Sequence, residues 1–211
     1  MRKGTPWTKK KVKDFAEELL AVTIPINVTF EGKQRILDLA RVEKVLRDAK
    51  TIAVADCECR TRVKGCDAPV DVCIYLNDEA TRLVKKRLAK IASLKKALEI
   101  LKKTCEAGLV HIAYTDRGDA KPNYICSCCS CCCHSFAAIQ KFGFDDALIS
   151  SEMIAEQDAS LCDSCGICVD RCHFKARWME GNRLRFDGGK CFGCGLCVPV
   201  CPTDAIALVK R

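Results

Sequence analysis

The sequence predicts an α+β fold, with a cysteine-rich N-terminal domain at residues 1–155 and a small C-terminal domain at residues 156–211. Three observations lead to this prediction. Apolar residues recur at helical spacing in several segments, and the short apolar runs between them are typical of buried strands. The 19 cysteines lie mostly in a few dense stretches. The last of these stretches form an internal repeat, which marks the C-terminal domain as a separate unit.

Amphipathic patterns predict five helices, whose ends coincide with residues that cap or stop helices. The first, at residues 8–22, has apolar residues on one face and is followed by Pro25. Ser93 is placed to cap a helix that runs through Glu106 and ends before Gly108. The remaining predicted helices cover residues 34–48, 78–90 and 135–141.

Short apolar runs predict the strands. The first run, TIAVA at residues 51–55, leads directly to Cys57. In the C-terminal part, the sequence EGN at residues 180–182 is typical of a hairpin turn. The other predicted strands are residues 109–115, 177–179, 183–186 and 206–209.

Two cysteine runs near the C-terminus share the spacing C-x2-C-x2-C-x3-C. They are Cys162, Cys165, Cys168 and Cys172, then Cys191, Cys194, Cys197 and Cys201. Each run offers three thiolates in a tight loop and a fourth beyond it, which suits a cubane 4Fe–4S cluster. Gly166 and Gly195 relieve crowding of the backbone in these loops, and Pro202 turns the chain after the second run. Zinc ribbons are the weaker alternative, because they use pairs of cysteines and not triplets.

Residues 158–211 resemble the bacterial-type dicluster ferredoxin family. The resemblance implies that the fourth cysteine of each run binds the cluster of the other run. The implied ligand sets are Cys162, Cys165, Cys168 and Cys201 for one cluster, and Cys191, Cys194, Cys197 and Cys172 for the other. The chain departs from the family at His173, where proline is usual. We expect His173 to face solvent; the alternative is a hydrogen bond toward the cluster that Cys172 binds.

Eleven N-terminal cysteines exceed what a simple ferredoxin needs. Ten of them form two groups, the first of Cys57, Cys59, Cys66 and Cys73, and the second of Cys126, Cys128, Cys129, Cys131, Cys132 and Cys133. Cys105 lies apart and is predicted to be a core residue. In an extended second group, Cys126, Cys128 and Cys132 would face one side, and Cys129, Cys131 and Cys133 the other. This pattern favours two metal centres, or free thiols in part of the run.

Nearly the whole chain resembles a family of ferredoxin-domain proteins that join a CxCR…GC…P…C segment to a C-x-C-C-x-C-C-C segment. The matching residues are 57–60, Gly65, Cys66, Pro69, Cys73, 108–111 and 126–133. The resemblance implies 4Fe–4S binding without implying a reaction. We expect at least one further 4Fe–4S cluster assembled from both cysteine groups. The alternatives are a closed zinc site, with His111 or His134 as a candidate ligand, and reactive thiols.

Positive charge is concentrated between residues 85 and 103. The formal net charge of +8 falls to roughly +4 when two clusters of about −2 each are added. The segment contains Lys85, Lys86, Arg87, Lys90, Lys95, Lys96, Lys102 and Lys103, with Glu99 as its one acid. It is interpreted as a solvated helix face or as a docking surface for acidic redox partner proteins. Nucleic acid is disfavoured because the segment lacks aromatic residues.

The cysteines are predicted to be reduced metal ligands in a cytoplasmic, anaerobic protein. Their number is odd and many are adjacent, which suits disulfides poorly. No apolar stretch reaches the roughly 20 residues that span a bilayer, and the first 20 residues lack the apolar region of a signal peptide. The predicted function is relay of low-potential electrons between oxidoreductases. The alternative is a redox enzyme, or an electron-input subunit, with its reactive metal centre in the N-terminal domain.

Overall fold

The computed structural model describes residues 7–24, 39–116 and 121–211. The α+β fold is confirmed, with helices packed on antiparallel strands. The N-terminal elements are α1 (Lys9–Glu18), β1 (Leu19–Thr23), α2 (Leu39–Arg47), β2 (Ile52–Ala55), α3 (Glu58–Val63), β3 (Cys73–Leu76), α4 (Asn77–Lys85), β4 (Lys90–Ile91), α5 (Leu94–Glu106), β5 (Val110–Asp116), β6 (Tyr124–Cys128) and α6 (His134–Phe142). The C-terminal elements are β7 (Met153–Gln157), α7 (Ile167–Asp170), β8 (Arg177–Glu180), β9 (Arg183–Phe186) and β10 (Ile206–Lys210).

A six-stranded sheet organises the N-terminal part, in the order β1-β5-β6-β3-β2-β4. Neighbouring strands are antiparallel throughout this sheet. Ile74, Ile112 and Ile125 are fully buried on its central strands. Because β6 lies between β5 and β3, Cys126 and Cys128 stand at the middle of the sheet and Cys73 begins the strand beside them.

Two of the predicted helices have the expected caps. The Ser93 hydroxyl accepts a hydrogen bond from the Lys96 amide at 3.1 Å, at the start of α5. Gly108 follows that helix with a left-handed φ of 74°. Helix α6 ends at Gly143, which is also left-handed and donates its amide to the Ala138 carbonyl. These ends agree with the sequence because capping is a local property of a few residues.

Other boundaries differ from the prediction because tertiary pairing overrides local pattern. The first helix ends at Glu18, and Leu19–Thr23 forms β1, which pairs with β5. Helix α4 ends at Lys85, and Lys90–Ile91 pairs with β2 as a short edge strand. Part of the predicted helix at 34–48, together with Pro25, lies outside the described residues.

The C-terminal part packs directly on the N-terminal part. Strands β7 and β10 pair, and β8 and β9 form the predicted hairpin. The aromatic ring of Phe174 stacks on Phe192 at 4.3 Å between centroids and contacts Phe136 of α6 at 5.0 Å. These rings share one apolar cluster with Val110 of β5. The predicted domain boundary at residues 155 and 156 lies within β7.

His111 is a core residue of β5. Its side chain is buried, and Nε2 lies 2.8 Å from the Thr104 hydroxyl. The Ser127 hydroxyl in turn donates to Thr104 Oγ1 at 3.0 Å. Burial lowers the pKa of His111 to about 3, so the folded protein holds the imidazole neutral.

This histidine makes stability depend on pH. The unfolded chain binds a proton at His111 below about pH 6.5 while the folded chain does not, so the stability contributed above that pH is lost as pH falls. Between pH 7 and pH 5.5 we expect this residue to cost about 1 kcal/mol of unfolding free energy. Anaerobic urea denaturation of the natural chain and of His111→Gln measures it. An equal pH dependence in the two proteins would contradict the assignment.

Candidate metal centres

The C-terminal cysteine loops have the backbone conformations that their glycines were predicted to permit. Gly166 and Gly195 are left-handed, with φ of 78° and 77°. A Cβ added at Gly195 would lie 2.9 Å from Leu208 Cδ1, so the Leu208 side chain of β10 would have to shift. Pro202 follows the last cysteine and enters a turn. Both loops are thus tightly folded around their cysteines.

Backbone amides point at the cysteine sulfurs. The Ser164 amide donates to Cys162 Sγ and the Gly193 amide donates to Cys191 Sγ, both at 3.4 Å. The Ala176 amide donates to Cys172 Sγ at 3.2 Å. Such hydrogen bonds stabilise thiolates and tune the potential of a bound iron–sulfur cluster.

The cysteines of the two runs interlock. The thiol of Cys172, from the first run, is close enough to Cys194 and Cys197 for their charges to interact. Burial, together with these neighbouring thiolates, raises the pKa of Cys194, and burial raises that of Cys197 to about 11. In the other set, Cys168 interacts with Cys162 and Cys165, and it shares an apolar cluster with Cys201. Buried thiols of this kind suit 4Fe–4S clusters, because metal replaces their protons.

Arg177 is a buried cation between the two C-terminal cysteine sets, and it was not predicted from the sequence. Its guanidinium donates to the Ala155 carbonyl at 2.5 Å and stacks over Phe186 at 4.3 Å. It interacts electrostatically with Cys168 of one set and Cys197 of the other. The internal repeat contained the signal, because the second copy has the buried Ile206 where the first has this arginine.

Removing this charge should lower the midpoint potential of a cluster bound at either cysteine set. A nearby cation stabilises the reduced cluster, and a loss of ~1 kcal/mol of attraction corresponds to about 40 mV for one electron. We therefore expect Arg177→Met to shift each such potential down by several tens of millivolts, on that scale. Arg177→Lys keeps the charge and serves as the control. Potentiometric EPR titration measures both, and unchanged potentials in Arg177→Met would count against this role.

Four N-terminal thiols lie close together in what we call the four-thiol group. Its members are Cys66, Cys129, Cys131 and Cys132, and their sulfurs all lie within 4.8 Å of one another. Cys66 Sγ is 3.7 Å from Cys129 Sγ and 3.9 Å from Cys132 Sγ. Four sulfurs at 2.3 Å from one tetrahedral ion would be about 3.8 Å apart. The group could therefore hold a single metal ion.

The remaining six N-terminal thiols form a closed cycle, the six-thiol group. In order around the cycle they are Cys57, Cys59, Cys133, Cys128, Cys126 and Cys73, and each interacts with its two neighbours. The sulfurs of Cys73 and Cys126 are 3.9 Å apart. His134 Nδ1 lies 3.3 Å from Cys59 Sγ, at the edge of the group. The structure thus brings both sequence groups together, in two separate sites.

The division between the sites differs from the extended-run prediction at two residues. Strand β6 ends at Cys128, and residues 130–132 form a turn in which the amides of Cys132 and Cys133 donate to the Cys129 carbonyl. This turn places Cys133 beside Cys128 and Cys132 beside Cys129, the reverse of the alternation expected for a strand. The structure has two sets of thiols, as in the prediction. The predicted membership of Cys132 and Cys133 was wrong, because each belongs to the opposite set.

Arg60 lies between the two N-terminal sites. Only 2% of it is exposed, and its guanidinium donates to the carbonyls of Pro69 and Ser127. One nitrogen, Nη2, lies 3.9 Å from Cys129 Sγ of the four-thiol group. Its Nε is buried and has no hydrogen-bond partner among the described residues. A buried, incompletely paired cation beside thiols fits sites that hold negatively charged metal–thiolate centres.

His173 joins the two halves of the protein, so the expectation that it faces solvent was wrong. The residue is half-buried; Nε2 donates to the Gly108 carbonyl at 2.7 Å, and Nδ1 accepts from the Ser130 hydroxyl at 3.0 Å. Burial lowers its pKa, which agrees with a neutral ring. His173 follows Cys172, and Ser130 lies within the N-terminal cysteine run, so this contact connects two cysteine sites.

Comparison with known proteins supports the C-terminal interpretation. A family model described as a 4Fe-4S binding domain matches residues 184–207, which include the second cysteine run. No curated protein matches the chain. The C-terminal region is therefore of ferredoxin type and binds at least one 4Fe–4S cluster, which supports an iron–sulfur electron-transfer role. Among the described residues, every helix is too short or too polar to cross a bilayer.

Proposed function

We propose that this protein is an electron carrier that relays low-potential electrons between oxidoreductases through two C-terminal 4Fe–4S clusters. The interlocked runs carry this proposal: Cys172 lies with Cys194 and Cys197, as cross-ligation between paired clusters requires. One cluster is bound by Cys162, Cys165, Cys168 and Cys201, and the other by Cys191, Cys194, Cys197 and Cys172. Each cluster transfers one electron when bound, and Arg177 favours the reduced state of both.

The N-terminal domain contributes further metal. The four-thiol group matches the spacing of one tetrahedral ion, for which zinc is the metal class that four thiolates suit best. The six-thiol group would bind an additional iron–sulfur centre. His111 is excluded as a ligand because it is buried among Thr104 and Ser127.

The interface between the halves offers a short route for electrons. Cys128 and Cys133 of the six-thiol group pack in the same apolar cluster as Cys172 and Cys194 of the C-terminal module. The rings of Phe136 and Phe174 belong to that cluster and contact each other, with 5.0 Å between their centroids. Electrons would pass between the N-terminal centre and the nearer ferredoxin-type cluster along this contact.

The basic segment at residues 85–103 is a candidate docking surface for acidic redox proteins. Its eight cationic side chains are exposed, and Leu88 and Ile91, which are 63% and 64% exposed, lie among them. An apolar patch surrounded by positive charge suits transient encounter with an acidic partner. Electron-transfer rates to such a partner would fall as ionic strength rises.

A second candidate function is redox catalysis at the N-terminal centre. It is favoured by one observation, the ten thiols of the four-thiol and six-thiol groups, which exceed what a pure relay requires. Turnover of a small molecule, with a matching change in the N-terminal EPR signal, would favour this function over relay.

Anaerobic reduction of the full chain tests the electron-carrier proposal. We expect iron and acid-labile sulfide in equal amounts, at least about eight of each per chain, and two interacting one-electron EPR signals from the C-terminal module. The signals should return after cycles of oxidation and reduction. Colourless protein without labile sulfide, or clusters that cannot be reduced reversibly, would overturn the proposal.

A further inference from the structure

The six-thiol group lines one cavity. All six of its cysteines line a space of about 350 Å³, whose other walls include the rings of Tyr75, Tyr114 and Tyr124. Cys129 and Cys132 of the four-thiol group also line this space, and Arg60 Nη2 lies 3.9 Å from Cys129 Sγ. The thiols thus face a common space large enough for more than a single ion.

Regular structure positions every thiol of this group. Cys126 and Cys128 are two residues apart on β6 and point to the same face of the sheet, and Cys73 begins the neighbouring strand β3. Cys57 and Cys133 immediately precede α3 and α6, and Cys59 lies in α3. The positive end of α6 favours a thiolate at Cys133. The ligands are held in place before metal arrives.

The number of thiols exceeds what a small centre uses. A tetrahedral ion and a cubane cluster each accept four thiolates. Either would leave two thiols of the six-thiol group beside the metal without a role, although all of them face the cavity. A cluster with more metal corners uses all six.

Arg60 is the buried cation of this site. Among the described residues that line the cavity, Arg62 pairs with Glu58 and Arg82 pairs with Glu79, whereas Arg60 has a buried nitrogen without a hydrogen-bond partner. A donor of this kind offsets part of the cost of burying a negatively charged metal–thiolate centre.

We propose that the six-thiol group binds one iron–sulfur cluster with more iron atoms than a cubane, and that all six thiolates are ligands. Arg60 lies beside this cluster, with its unpaired Nε available as a hydrogen-bond donor to a sulfur. The proposal deepens the proposed function, because the larger cluster would exchange electrons with the ferredoxin-type module.

Single Cys→Ser substitutions at the six positions test the ligand set. If one larger cluster uses every thiol, each of the six variants has less iron per chain than the unsubstituted protein. If a cubane occupies the site, two substitutions leave the iron content unchanged, and this result overturns the proposal. Cys105→Ser is the matched control, since this cysteine is as buried as most of the six but lies on α5.

The number of iron atoms in the proposed cluster is tested with the double variant Cys73→Ser/Cys128→Ser. We expect it to lose more than about four iron atoms per chain, the content of one cubane. Loss of four or fewer overturns the proposal. The C-terminal EPR signals and the metal of the four-thiol group report whether each variant has folded. A Mössbauer spectrum of the unsubstituted chain tests the cluster size without any substitution. A spectrum of cubanes alone would also overturn the proposal.

The two proposals fail in distinguishable ways. Absence of the C-terminal EPR signals in unsubstituted protein would overturn the electron-carrier function. Intact C-terminal signals with only a cubane, or no iron, at the six-thiol group would overturn the larger cluster and leave the carrier function standing.

Discussion

Replacing Cys165 with serine is expected to abolish one of the two C-terminal cluster signals and leave the other in place. Cys165 is the most exposed cysteine of its proposed ligand set, so the substitution would remove a metal bond with little change in packing. A three-thiolate site loses iron readily, and the module has a small apolar core that depends on its clusters for folding energy. We expect near-complete loss of that EPR signal and of about four iron atoms.

Two further substitutions make this prediction sharper. Cys201→Ser should remove the same signal as Cys165→Ser, although the two residues come from different runs. Cys172→Ser should remove the other signal, because its thiol lies with Cys194 and Cys197. If Cys172→Ser and Cys165→Ser removed the same signal, each run would bind its own cluster and the cross-ligation would be wrong.

Replacing Cys132 with serine is expected to release the ion of the four-thiol group and destabilise the N-terminal domain. Cys132 is 1% exposed, and its sulfur lies within 4.8 Å of the other three. A structural tetrahedral ion contributes on the order of 10 kcal/mol of binding free energy to folding, so loss of one ligand should cost several kcal/mol. Zinc analysis and thermal unfolding of the anaerobic protein measure both effects.

The control for this substitution is again Cys105→Ser, which changes a buried thiol that is not a member of the four-thiol group. It should cost about 1–3 kcal/mol through burial of a hydroxyl and leave the zinc content unchanged. Equal destabilisation by the two substitutions, with metal retained in both, would falsify the tetrahedral site.

Local sequence was sufficient where a few neighbouring residues decide the structure. The caps at Ser93, Gly108 and Gly143 were predicted because each depends on hydrogen bonds within one or two turns. The β8–β9 hairpin was predicted for the same reason. The segment after Glu18 was not, since Leu19–Thr23 has a helical pattern and becomes a strand only through pairing with β5.

Local sequence was likewise sufficient for the C-terminal metal sites and insufficient for the N-terminal ones. The spacing of the C-terminal cysteines identified a ferredoxin-type region because three ligands of each set lie in one loop. The N-terminal sites join residues more than 60 positions apart, such as Cys66 with Cys129, and no spacing rule applies at that distance. Arg60 and Arg177 were not identified as electrostatic partners because burial between two sites is a property of the fold. For Arg177, the departure from the internal repeat was the one signal in the sequence.

The sequence by itself determined the α+β class of this protein. It also determined the chemistry, through the abundance of thiolate ligands and the repeat that suits paired 4Fe–4S clusters. Tertiary structure alone decided how the N-terminal cysteines are shared. Strand β6 ends at Cys128, and the turn that follows sends Cys132 to one site and Cys133 to the other. That division arises because ligands converge through a sheet assembled from distant strands, and sheet order is set by packing across the whole domain.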